Sequence, residues 1–310
     1  MKSDFSYWFK FRRANQITQA SFTGLWALTT LFHSSHLLEP HNRWPYLALA
    51  LVAFLAIIFC EWSCSLIFLS CAQLVVFAFV MPATANHFVL MAFINLTLIC
   101  FWLHRDDWFE AAIPHLRTLV IIAYGFAFFH KLNWDFINPK NSCVISMLAG
   151  DLPLFTSVSQ VISENQWMKS VLIYLTLVVE FLIPFFLVRP KWAKLGIALG
   201  SLFHLSLGPR FLTISTVFLA AYFLWLKAKI SRWALAILAI VGGPVLFGLE
   251  VMTVKNASTP LEYVYTLAGV VCFLFVGGYF YLLLNRGLSE KFIDVKKSTS
   301  RVAIVLSVTL

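Results

Sequence analysis

The chain reads as an all-α, polytopic integral membrane protein, a helical bundle of about ten transmembrane helices. Three observations predict this. Hydrophobic residues fill 60% of the 310 positions and charged residues only 12%, with a mean hydropathy of +0.83, a balance that no water-soluble chain of this size keeps off its surface. Apolar runs long enough to span, roughly 20 residues each, recur along almost the whole length. Lysine and arginine gather in alternate connections between those runs, as expected when positive charge is retained on the cytoplasmic side.

Apolar runs bounded by polar or Pro/Gly clusters predict spans at 17–38, 45–60, 63–83, 86–103, 112–130, 168–188, 193–208, 211–227, 231–252 and 262–284. The run at 17–38 exceeds a signal-peptide core and is followed by no small-residue cleavage site, so it reads as a retained first helix. Spans 45–60 and 63–83 meet at a tight inner turn that carries Glu61, an interfacial charge. Lys10, Arg12 and Arg13 precede the first span. Further inner charge falls at Arg105 and Arg117, at Arg189, Lys191 and Lys194, at Lys227, Lys229 and Arg232, and at Arg286, Lys291, Lys296 and Lys297. The intervening connections at 39–44, 84–86, 131–167, 208–210 and 253–261 hold far fewer. Both termini are therefore expected in the cytoplasm, with an N-terminal segment at 1–16, a transmembrane domain at 17–285 and a tail at 286–310. Trp44, Trp62, Trp102, Trp134, Trp167, Trp192, Trp225 and Trp233 fall near span ends, the level that indole rings prefer.

The formal charge of +9 does not signal nucleic acid, because the basic residues are scattered in short clusters and form no patch or stripe. The lipid bilayer is the partner that the composition names. Six cysteines show neither a CxxC pair nor a His/Cys metal spacing, so no metal site is expected. Cys143 is the one cysteine placed outside, as a free thiol or a structural residue.

Candidate chemistry lies in three segments. The long outer connection opens with His130-Lys131-Leu132-Asn133-Trp134-Asp135-Phe136, where polar density jumps at the end of an apolar helix. A lysine there reads either as a snorkelling interfacial charge or as a functional group. Glu180 stands near the middle of the 168–188 span, where a lone carboxylate costs roughly 2.5–3.5 kcal/mol on insertion scales and requires a partner or a proton. His204 lies inside the next span toward its outer end, and alone it reads as a satisfied hydrogen-bonding group. Together the three predict an amine, a carboxylate and an imidazole converging in a low-dielectric pocket, an arrangement suited to proton transfer. His33 and His36 share a face of the first span near its outer end and read either as lining the same cavity or as weak metal ligands, with no third ligand in view.

The run from His130 to Phe136, with Asn138-Pro139 and Ser142-Cys143, resembles the signature of the horizontally transferred transmembrane domain family, whose membrane domain is shared with vitamin K-dependent gamma-carboxylase. Glu180 to Pro184, the Arg189-Pro190-Lys191 turn and Phe203-His204 are similar to that family's next two helices, in the same order. The resemblance covers residues 10–285 and is specific over 115–210. It implies that Lys131 is the base that deprotonates a quinol, with Asn133 donating a hydrogen bond in the same pocket and Glu180 and His204 supporting. His130, Asp135, His33 and His36 are then the expected cofactor-binding residues, and reduced vitamin K or menaquinol the implied cofactor. Asn133 stands where the carboxylase has an acid, as in bacterial relatives that include the membrane component of the sporulation-delaying peptide system. The chain ends soon after its last span, so no large lumenal substrate domain is expected and protein glutamate carboxylation is not carried over.

The expected function is that of a bacterial inner-membrane enzyme with gamma-carboxylase-like lyase or oxidase chemistry, in which Lys131 acts on a quinol or other lipid-soluble substrate in an outward-facing pocket. The alternative is an accessory membrane protein for maturation or export of a small secreted peptide. A transporter is a third class, which the intramembrane Glu favours but no internal repeat supports.

Overall fold

The computed structural model describes residues 17–36, 43–80, 86–145, 164–206, 212–226, 230–237 and 239–240. These are mostly helical, with no strand among them. The helices are α1 (Ile17–His36), α2 (Arg43–Ile58), α3 (Ser63–Val80), α4 (Asn86–His104), α5 (Trp108–Lys131), α6 (Trp134–Ile137), α7 (Gln166–Val188), α8 (Ala193–Ser206) and α9 (Leu212–Tyr222), the last running into a 3-10 turn at Phe223–Trp225. Residues 232–237 are also helical. Three helices, over His87–His104, Trp108–Lys131 and Gln166–Val188, are long and apolar enough to cross a membrane, and shorter apolar helices cover Trp44–Ile58, Ser63–Phe79 and Ser215–Trp225. A helix stands at each expected span from 17–38 to 211–227. The expected span at 262–284, most of that at 231–252, and both terminal segments lie outside the described residues.

The chain divides into two compact units, one of Met1–Ile113 with Leu226–Tyr265 and one of Pro114–Trp225 with Thr266–Leu310. In the first, α1 packs on α2 and α3, and α3 on α4. Its core holds Phe22, Trp26, Phe32, Leu66, Leu69, Ile94 and Leu98. α1 turns polar residues inward: Thr23, Thr30 and Ser34 are buried, and each hydroxyl donates to the carbonyl four residues back, which satisfies it without a second helix. Gly24 leaves the space that the Leu235 side chain enters, and Ser21 Oγ accepts the Ile230 N–H at 3.0 Å. Meanwhile α2 exposes Leu47, Leu51 and Leu55, the turn after it exposes Phe59, and α3 exposes Phe68, Val75 and Phe79.

In the second unit α7 packs on α6 and α8, and α8 on α9. α7 buries Ile173, Leu177, Glu180, Ile183 and Leu187, a 3–4 spacing that defines one face. Its other face is also apolar, with Val171, Leu175, Val178, Phe181 and Val188 exposed. A helix that is apolar all round yet carries one carboxyl on its packed face has placed that carboxyl for a reason other than solubility. Between α4 and α5, Arg105 donates to both carboxylate oxygens of Asp107 at 2.8 and 3.0 Å. That hydrogen bond holds the Asp107 carboxyl below the usual aspartate range and raises the Arg105 guanidinium. Asp107 also stands just ahead of the first residue of α5, where negative charge favours the helix N-terminus.

Candidate functional site

The site is built on one face of α5. Arg117, Tyr124 and Lys131 follow one another at seven-residue intervals, so each is rotated only about 20° from the last and about 10 Å further along the axis. Each engages a different element of the second unit. Arg117 Nη2 and Nε donate to the Leu224 carbonyl at 2.6 and 3.1 Å, with the guanidinium 5.5 Å from the Trp225 ring. Tyr124 meets α8 and α9. Lys131, at the C-terminal end, reaches α7. Arg117, counted by charge with an inner connection, is thus a buried side chain inside α5.

Lys131 Nζ donates to Glu180 Oε1 at 2.8 Å. The lysine side chain keeps 24% of its surface and the glutamate 8%, so the pair is sheltered on the acid side and open to one direction on the amine side. The cover comes from the segment after α5. Phe136 of α6 is buried with Ile173 and Leu177 of α7, and Phe128, Ile137, Val144 and Ile145 pack against that cluster. The Lys131 ammonium lies 5.8 Å from the centre of the Phe136 ring. Glu180 Oε2 is buried and has no hydrogen-bond partner among the described residues.

Asn133 shapes the turn that makes this cover. Its Oδ1 accepts the Phe136 N–H at 2.8 Å, capping α6, while its Nδ2 donates to the His130 carbonyl at the end of α5. One amide therefore closes both helix ends at the reversal, the use for which Asn is favoured at such positions. His130, Asn133 and Asp135 are exposed, whereas Ser142 is buried with its hydroxyl unpartnered among the described residues. Cys143 is exposed.

His204 is fully enclosed on α8. Its ring stacks on Phe218 of α9 at 4.4 Å and 12°, its carbonyl accepts the Ser215 hydroxyl at 2.7 Å, and its Nε2 is hydrogen-bonded to the Tyr124 hydroxyl, which is bonded in turn to the Tyr222 hydroxyl. Ser215, Phe218 and Tyr222 lie at i, i+3 and i+7 and so form one face of α9. Gly200, one turn before His204, leaves the space that the Tyr222 ring occupies; a Cβ there would overlap the Tyr222 hydroxyl. The chain of hydroxyls runs to Nε2, and the other ring nitrogen, Nδ1, is buried with no partner among the described residues. Whichever tautomer is present, one end of this chain is left unsatisfied.

The three expected groups are thus arranged as a pair and a relay. Lys131 and Glu180 are in direct contact, and His204 is tied to Tyr124, two turns below Lys131 on the same helix face. His33 belongs to the first unit, where its Nδ1 is 2.8 Å from the Thr29 carbonyl and its ring lies 5.1 Å from that of His87. His36 ends α1, and its side chain lies outside the described residues. Among the described residues no three His, Cys, Asp or Glu side chains cluster as metal ligands.

Tyr124, Tyr222, Ser215, Phe218 and Gly200 do not stand out in the sequence, because a tyrosine or serine in an apolar run reads as ordinary span. The recurrence of a polar residue every seven positions along 117, 124 and 131 is the signal that finds Tyr124. No family model matches this chain, and neither a curated relative nor a solved structure is similar to it.

Proposed function

We propose that the protein is a multi-pass protein of the bacterial inner membrane, with both termini cytoplasmic, and that Lys131 and Glu180 form a proton-transfer site acting on a quinol or other lipid-soluble substrate that enters from the outer side. The 2.8 Å contact between Lys131 Nζ and Glu180 Oε1 carries the proposal. An ammonium held by a carboxylate is not itself a base. In a poorly solvated site, however, the proton passes from Nζ to Oε1 with little penalty, since a neutral amine beside a neutral carboxyl avoids the desolvation of two ions. The amine so released accepts a proton from substrate, and Glu180 holds the one it displaced.

A quinol hydroxyl fits the residues present. Glu180 Oε2 is a buried acceptor with no donor among the described residues, and the partly open side of Lys131 is the side a substrate would approach. The quinol would supply the acidic hydroxyl and an apolar ring; the chain orients it, excludes water through Phe128 and Phe136, and moves the proton. Membrane residence is supported by the three long apolar helices, by apolar side chains exposed on both units, and by exposed Trp44, Trp134, Trp167 and Trp233 near helix ends. The function remains the one that the Lys131 motif's resemblance to the horizontally transferred transmembrane domain family implies.

A second reading, an accessory protein for maturation or export of a small secreted peptide, is favoured by one observation: the same ion pair also clasps α5 to α7, a role that requires no chemistry. The discriminating experiment is extraction of lipids from the purified protein with mass spectrometry, followed by a quinol-consumption assay in aerated vesicles, where dioxygen is the oxidant that takes the two electrons of the deprotonated quinol. Co-purified quinone, and consumption that falls about 10²–10⁴-fold in Lys131→Ala, the usual worth of a positioned acid–base group, are the expected results. Absence of quinone together with unchanged peptide maturation by Lys131→Ala would leave the accessory reading.

A further inference from the structure

The first unit carries a charged feature of its own. At the turn between α2 and α3, Glu61 Oε1 lies 3.8 Å from Arg232 Nη1, too far for a hydrogen bond. The two side chains keep 53% and 45% of their surface. The pair borders a pocket of about 280 Å³ lined by Ile58, Phe59, Trp62, Trp233 and Ala236. Neither charge is committed to the other: a loose, half-exposed ion pair contributes little and exchanges readily for better partners.

Two apolar stripes begin at this pocket. From Phe59 in the turn back along α2, the exposed Leu55, Leu51 and Leu47 follow at four-residue spacing and lead away from it over about 18 Å, roughly half the ~30 Å hydrocarbon thickness of a bilayer. From the other wall, the exposed Trp233, Ile237 and Ile240 lead away along the stretch that begins at 232. The Arg232 guanidinium lies 5.4 Å from the centre of the Trp233 ring, which fixes the cation at the mouth and occupies that ring's face. One cation, one anion and two apolar tracks match one chemical class: an amphiphile with a zwitterionic head and two chains.

We propose that this pocket binds the head group of a phospholipid carrying a primary ammonium, with its phosphate on Arg232, its ammonium on Glu61, and one acyl chain along each stripe. Guanidinium and phosphate pair through a planar fork of N–H donors, and a primary ammonium has three donors to offer a carboxylate where a choline has none. The inference rests on membrane residence but not on any role for Lys131.

The test is native mass spectrometry of the full chain taken from vesicles of equal phosphatidylethanolamine, phosphatidylcholine and phosphatidylglycerol. Wild type is expected to retain one ethanolamine lipid in preference to the other two by about tenfold, as one charge-assisted hydrogen bond provides. Glu61→Gln removes the preference over the glycerol lipid and keeps overall retention. Arg232→Gln lowers retention of all three, and the exchange Glu61→Arg with Arg232→Glu restores the ethanolamine preference. Equal retention of the three lipids by wild type, or a preference unchanged in both single variants, overturns the proposal. So does displacement of the lipid by soluble glycerophosphoethanolamine at matched concentration, since the stripes would then contribute nothing. Protein that stays in membranes through an alkaline wash yet fails these arms contradicts this proposal alone, whereas protein released by the wash contradicts membrane residence.

Discussion

The two units each bury a polar cluster among apolar helices, and they do so in opposite ways. In the first, Trp26 Nε1 donates to Gln73 Oε1 and Asn95 Oδ1 at 3.1 and 3.0 Å, Asn95 donates to Gln73, Gln73 to Thr30, and Thr30 to the Trp26 carbonyl at 2.7 Å. Every member is neutral and every member is partnered. The knot ties α1, α3 and α4 together beside a cavity of about 30 Å³ that His33 also lines, enough space for a water or two. In the second unit the cluster is charged, and two of its atoms, Glu180 Oε2 and His204 Nδ1, are buried with no partner among the described residues. A closed neutral network fixes helix positions, whereas an open charged one retains unspent hydrogen-bonding capacity for a ligand or a proton.

That contrast can be broken most sharply at Lys131. Lys131→Ala strands the Glu180 carboxyl in its buried position and is expected to destabilise the second unit by about 3 kcal/mol, near the low end for breaking a buried pair because the lysine is partly open. Denaturant titration in detergent, compared with the milder Glu180→Gln, reads this. Next is Gly200→Ala, whose added methyl meets the Tyr222 hydroxyl. Displacing that ring should cost about 1–3 kcal/mol and, by parting Tyr222 from Tyr124, alter the pH profile of any proton transfer at Lys131 more than a purely steric fault would. Trp26→Phe, which keeps an aromatic face but removes the fused ring together with the N–H shared by two amides, should cost about 1–3 kcal/mol and leave any Lys131-dependent activity unchanged, sharpening the distinction between a knot that holds and a pair that reacts.

The smallest expected effect lies outside both clusters. Asp107 has its carboxyl held low by Arg105, so its contribution to stability is present in full above the ordinary aspartate value of about 3.9 and is lost as pH falls through the lower folded value. Asp107→Asn should therefore lower the melting temperature slightly near neutral pH and not at all in strong acid, with the difference shrinking in high salt. A wild-type/variant difference that persists at pH 2 would contradict this origin.

Much of this arrangement was readable from residues alone, and the exceptions have causes. Helix positions through α9 follow from apolar run length, because roughly 20 residues are needed to span and nothing else in the chain competes with that signal. Lys131 and Glu180 were readable as partners because a mid-span carboxylate requires a cation or a proton. The relay of Tyr124, His204 and Tyr222 was not, since tyrosine suits lipid, core and hydrogen-bonded networks equally, and only three-dimensional packing selects among them. α6 was hidden inside what reads as a loop, as four residues are too few for periodicity to register. Asn133 reads as a pocket donor by motif, and its geometry instead commits one N–H and its oxygen to the turn. The Trp26 knot is also silent in the sequence, because single Gln and Asn residues in apolar runs give no spacing to follow.

As proposed, the Lys131–Glu180 pair transfers protons and is not merely a clasp. The direct measurement replaces both residues at once, Lys131→Met with Glu180→Leu, and records stability and quinol consumption in the same vesicles. Apolar replacement of a buried pair is often neutral or stabilising, so unfolding is expected at or above the wild-type midpoint with quinol consumption abolished. A stable double variant that consumes quinol at the wild-type rate would contradict the proposal.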